Sequence, residues 1–167
     1  MNPRSIINVL ALLTLFVLPI LLHAQSPIVL TTAQDIYPLG SHLEYLEDKE
    51  KSWTIEDVTS SELSTLFVPS TAESPGFGFT DSAIWVRFPI RNAADETVSW
   101  LLVIDSYLFY IDVYMPTNNP QGFELFQTGS ARSYDSRPID HPRFLFDLSV
   151  PPDSEETIYI RFESESS

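Results

Sequence analysis

With 23 acidic side chains against nine basic ones and a formal net charge of −14, this chain of 167 residues repels nucleic acid and anionic lipid. It contains no cysteine, so thiolate-held zinc, iron–sulfur clusters and disulfide bracing are excluded and the core alone must hold the fold.

Residues 1–24 read as a secretory signal peptide. Arg4 gives a positive start, Ile6 to Leu22 is almost wholly apolar over about 17 residues, and Ala24 offers a small residue for cleavage. Pro19 and Ala24 favour cleavage over an uncleaved anchor. The remainder is the size of one domain and loses Arg4 but no acid. Export without disulfides fits a bacterial periplasm better than the secretory route of a higher cell. The acidity is expected to serve solubility first, with calcium attraction as the sharper alternative.

Residues 25–35 are expected to be an irregular lead-in that continues to Leu39, with the domain proper spanning 36–163. His42 to Leu46 reads as a short strand, followed by the charged turn EDKEK. Thr54 and Asp57 have the spacing of a capping box, which predicts one or two helical turns within 54–66. After the SPGFG turn, Ile84, Val86 and Phe88 alternate with Ala83, Trp85 and Arg87 along a strand. Pro89 removes a backbone donor and suggests an edge or a bulge there. Val98 to Ile104 is apolar on both faces and reads as a central strand. Tyr107, Phe109, Ile111, Val113 and Met115 form the next inward row, and PTNNPQG breaks the chain. Phe123 to Gln127 is a further strand. Phe144, Phe146, Leu148 and Val150 alternate, PPDSEE turns, and Ile158, Ile160 and Phe162 close the series. Seven or eight short strands without a βαβ rhythm predict an all-β sandwich or jelly roll. Residues 164–167 read as the start of a polar linker.

The strand faces turned away from the core carry the candidate site. Trp85 and Arg87 lie on one strand, Tyr110 and Asp112 on another, and Arg143 on a third. Rings that stack on sugar faces, flanked by Arg and Asp that bond hydroxyls, are what a glycan-binding sheet needs. The same residues serve equally as cross-strand pairs, and Trp85 as packing between layers. The loop SRPIDHPRF adds Arg137 and His141, which either clamp an anionic ligand group or pair with neighbouring acids. Asp81 is a candidate calcium ligand or, as a turn residue, an Asx-turn or cap. Nucleophile elbow, P-loop, dinucleotide and zinc-protease motifs are absent, so no enzyme and no cofactor is expected.

The segments GFTDSAIWVRFPIRN, WLLVIDSYLFYIDVYMP and SRPIDHPRFLFDLSVPPDSEETIYIRFES, preceded by HLEYLED and WTIEDV, resemble the extracellular type 2 domain of 7TMR-DISM bacterial receptors. These are seven-transmembrane receptors with diverse intracellular signalling modules, and the resemblance covers Ile36 to Glu163. It implies a jelly-roll sandwich similar to carbohydrate-binding modules, acting as a periplasmic input domain. The partners it implies are a small extracellular ligand, expected to be a saccharide, and membrane helices with a cytoplasmic kinase or diguanylate cyclase; a homodimer is compatible. On this reading the chain is a fragment, ending before the membrane helices that would tether it to the inner membrane. The alternatives are a free-standing glycan-binding module and a calcium-responsive sensor domain.

Overall fold

A computed structural model describes residues 25–164 except 32, 33, 35, 79, 106, 107, 118, 120 and 121. The expected signal peptide, the end of the expected linker and Tyr107 lie outside the described residues. Among the described residues there are nine strands: β1 (Ile28–Leu30), β2 (Glu44–Asp48), β3 (Val68–Pro69), β4 (Ala83–Asn92), β5 (Val98–Ile104), β6 (Tyr110–Pro116), β7 (Phe123–Thr128), β8 (Phe144–Val150) and β9 (Glu155–Glu163). One helix, α1 (Ile55–Thr59), and a 3-10 turn at Leu63–Leu66 fall inside the window predicted for helix.

The antiparallel pairings nest: β6 with β7, β5 with β8, β4 with β9. This is a long hairpin rolled up on itself, the winding of a jelly roll. One sheet has seven strands, in the order β3-β2-β4-β9-β6-β7 with β1 added beside β4; among the described residues the other holds β5 and β8. The alternating apolar rows meet between the sheets. Phe88, Ile90, Leu102, Ile111, Val113, Phe146, Val150 and Ile158 are almost completely covered there. Asn92 is the polar tie inside this core. Its amide donates to the carbonyls of Val150 (2.9 Å) and Glu96 (2.8 Å), and its oxygen accepts from Ala94 N–H (2.9 Å).

Four local expectations need correction. The lead-in contains β1, which runs parallel to the end of β4 in the register Ile28↔Ile90 to Leu30↔Asn92. The strand expected over 42–46 runs over Glu44–Asp48, with His42 in a 3-10 turn. β4 is not an edge strand: β9 lies on one side, and β2 and then β1 on the other. Pro89 falls between Arg87, where pairing with β2 ends, and Ile90, where pairing with β1 begins, so the missing donor costs no third strand a partner. β5 is not central either. It pairs only with β8 among the described residues, and Leu101 and Val103 on its outer face are exposed. Gly129, at φ 137, ends β7 where a Cβ would strike the Phe109 carbonyl, so the close approach of β7 to the start of β6 requires glycine.

Candidate binding site

The outer face of the seven-stranded sheet was the expected ligand face, and the structure covers it. The ladder register sets two rows of side chains across it: Leu46, Trp85, Arg161, Asp112 and Gln127, then Glu44, Arg87, Tyr159, Tyr114 and Leu125. Over these rows sits a cap formed by α1 and the 3-10 turn. Thr54 and Asp57 close the predicted capping box, with Asp57 Oδ2 accepting from Thr54 N–H at 2.8 Å. Val58 and Phe67 from this segment bury themselves against Leu46, Trp85 and Tyr159. Trp85 is 0% exposed and therefore no surface platform. It lies 5.4 Å from Tyr114 ring to ring, and its Nε1–H has no hydrogen-bond partner among the described residues.

The charged members of this face are paired with one another. Arg87 Nε donates to Glu44 at 2.6 Å, and its guanidinium lies 4.1 Å from the centre of the Phe67 ring. Asp112, buried, accepts from Arg132 at 2.7 Å and Gln127 at 3.2 Å, with Arg161 at 3.9 Å. Arg132 also donates to the carbonyls of Ile111 and Thr128 and lies over the Tyr110 ring at 5.2 Å. Arg161 reaches Glu163 at 2.8 Å, and Lys51 reaches the same carboxylate at 3.1 Å. Burial would raise the Glu163 carboxyl, but hydrogen bonds and charge from Lys51 and Arg161 hold it below its ordinary value. Tyr114 is pushed up, first by burial and then by the Asp112 charge.

The second expected constellation braces its own loop. Arg137 donates to the carbonyls of His141 (2.5 Å) and Pro142 (2.7 Å) and lies between the rings of Tyr134 and Phe144, at 4.4 and 4.7 Å. His141 Nδ1 accepts from Arg143 N–H at 3.0 Å. Arg143 itself points outward, 57% exposed, and meets Asp105 at 3.4 Å.

The open space lies on the opposite face of the same sheet. Among the described residues only β5 and β8 lie opposite the seven strands, and a cleft remains between the two sheets at the end of β5. The cleft there has a volume of about 960 Å³. Ile84, Val86 and Phe88 of β4 and Ile160 and Phe162 of β9 form its floor, and Leu102 and Ile104 of β5 the facing wall. Phe77, Thr80, Asp81, Ser82, Asp105 and Phe109 surround the mouth. Ser82 Oγ donates to Glu47 at 2.7 Å, and Asp81 is exposed with no partner among the described residues. Among the described residues no three His, Asp or Glu side chains gather into a metal site. Of the residues expected to bind ligand, only Arg143 approaches this cleft, through Asp105. Alternation marked the floor residues as core, and what hid the cleft was the narrowness of the second sheet.

The family profile described as 7TMR-DISM extracellular 2 matches residues 40–167. The chain belongs to the 7TMR-DISM extracellular 2 family. Among curated proteins no relative matches it. As a 7TMR-DISM extracellular domain it is a sensor domain of a membrane receptor, placed outside the membrane. Among the described residues no helix is long and apolar enough to cross a bilayer.

Proposed function

We propose that this 7TMR-DISM domain is the non-catalytic, periplasmic input of a signalling receptor and that its ligand enters the cleft between the two sheets. The observation that carries this reading is the open volume of about 960 Å³, at the upper end of what small-molecule sites occupy. The adjoining strand supports it. On β9, Ile160 and Phe162 face the cleft, while Tyr159 and Arg161 face the capped side. A ligand that repositions Phe162 therefore acts on the same strand that holds the Lys51–Glu163–Arg161 pairing. Signalling to membrane helices and a kinase or cyclase output then follows from a difference in ligand affinity between two arrangements of that strand. The test is calorimetric titration of a small-molecule panel against the wild-type chain and Leu108→Trp, which fills the cleft from its partly buried edge. Ligands that bind both equally would remove the cleft reading.

A saccharide on the capped face is the second reading, favoured by the aromatic group of Trp85, Tyr114, Phe123 and Tyr159 and by the unpartnered indole N–H. It requires the cap over Val58 and Phe67 to lift. A glycan that binds while exposing Trp85 to a fluorescence quencher supports it, and a panel without binders sinks it.

A further inference from the structure

We propose that the cleft takes an amphiphile with an alkyl chain and a cationic ammonium head; this rests on the cleft reading above. The floor offers hydrocarbon and nothing else. Val86, Phe88, Ile160, Leu102 and Ile104 present no side-chain donor or acceptor, so each hydroxyl of a sugar placed there would lose its water without a replacement. A hydrocarbon chain loses nothing on entering.

The polar side chains that line the cleft are Thr80, Asp81, Ser82, Asp105 and Ser164, and the charged ones among them are acidic. Asp81 is exposed and unpaired among the described residues. Among the described residues Asp105 meets the outward-facing Arg143 alone, and Glu47 holds the hydroxyls of Ser82 and Thr80. No lysine or arginine lines the cleft among the described residues. Two rings, Phe77 and Phe109, stand at the same mouth, and Phe109 is 38% exposed. Aromatic faces beside carboxylates are the chemistry that recognises an ammonium group. An anionic head would meet these carboxylates and the field of a chain with net charge −14. A cation is drawn in by both.

The experiment is calorimetry on the purified chain with octyl-, decyl- and dodecyl-trimethylammonium and the matching alkyl sulfates, all below their micelle concentrations. Affinity for the ammonium series is expected to rise about fourfold per added methylene, equivalent to about 0.8 kcal/mol. At equal chain length the ammonium should bind about tenfold tighter than the sulfate, a gap that shrinks with added salt. Asp81→Asn combined with Asp105→Asn, both at exposed positions, should close that gap and leave the chain-length slope in place. Sulfates that bind as tightly as ammoniums would overturn the cationic head while leaving the cleft reading standing. Absence of a chain-length slope, or a slope unchanged in a folded Leu108→Trp chain, would overturn both. If Leu108→Trp does not fold, displacement of an apolar fluorescent dye by the same series decides: no displacement overturns both, and stepwise displacement that grows with chain length supports the cleft.

Discussion

The two faces of the seven-stranded sheet are covered in different ways. The outer face carries Trp85, Arg87, Asp112 and Arg161, the residue types of a recognition surface, and it is closed by a helical cap with its charges paired. The inner face carries Ile84, Val86, Phe88, Ile160 and Phe162, the residue types of a core; the first four are 0–7% exposed, yet among the described residues only β5 and β8 lie opposite, and a cleft of about 960 Å³ remains beside them. Side-chain chemistry says which face can be buried. The number of elements laid over a face decides how completely the space above it is filled.

Substitutions on the capped face break this comparison most sharply. Trp85→Ala should destabilise the domain by about 3–5 kcal/mol, because the side chain is fully covered between sheet and cap. Denaturant unfolding measures this, and a near-wild-type midpoint would mean that the cap does not seat on the indole. Arg132→Ala removes the nearest cation from the buried Asp112 carboxylate, leaving it Gln127 and the more distant Arg161, and takes a donor from two carbonyls, for a loss of about 3 kcal/mol. Asp112→Asn in the same background should recover part of that loss.

Two smaller tests sharpen the contrast. Thr54→Ala removes the acceptor for the Asp57 N–H and should cost about 1 kcal/mol, with earlier hydrogen exchange in α1 and little change in β5 or β8. Glu163→Gln should cost less than about 1 kcal/mol at neutral pH, since the group is partly exposed. The folded-state carboxyl lies below its ordinary 4.5, so its contribution is present above that value and fades as the pH falls through the lower folded value. The difference between wild type and Glu163→Gln should therefore shrink as the solution is acidified below pH 4.5. Glu156, raised by burial, drives stability the other way in both chains and cancels in that difference.

Much of this organisation is legible in the residues. The alternation of Ile84, Val86 and Phe88, of Phe144 to Val150, and of Ile158 to Phe162 places the right side chains between the sheets, and Thr54 with Asp57 marks the start of the only α-helix among the described residues. Three features escape because they depend on neighbours distant in sequence. Ile28–Leu30 is too short for a period to show, and its partner lies at the far end of β4. Leu101 and Val103 look interior, yet a strand's own composition does not count how many strands lie beside it. Trp85 stands opposite the core row, where its own strand leaves ligand platform and packing between layers both open, and the clue that decides for burial sits elsewhere. Ile55, Val58, Leu63 and Phe67 give a segment of two short turns more apolar surface than it can bury by itself, so it needs a surface to rest on.

The short strand β1 has a practical side. The family match begins at residue 40, yet Ile28 and Leu30 are 4% and 1% exposed and belong to the main core. A recombinant fragment cut at the family boundary would bare the Ile90–Asn92 edge of β4 and leave a hole beside Phe88. Expression from upstream of Gln25 keeps that edge sealed, and a fragment starting at Gly40 should aggregate where the longer one stays soluble.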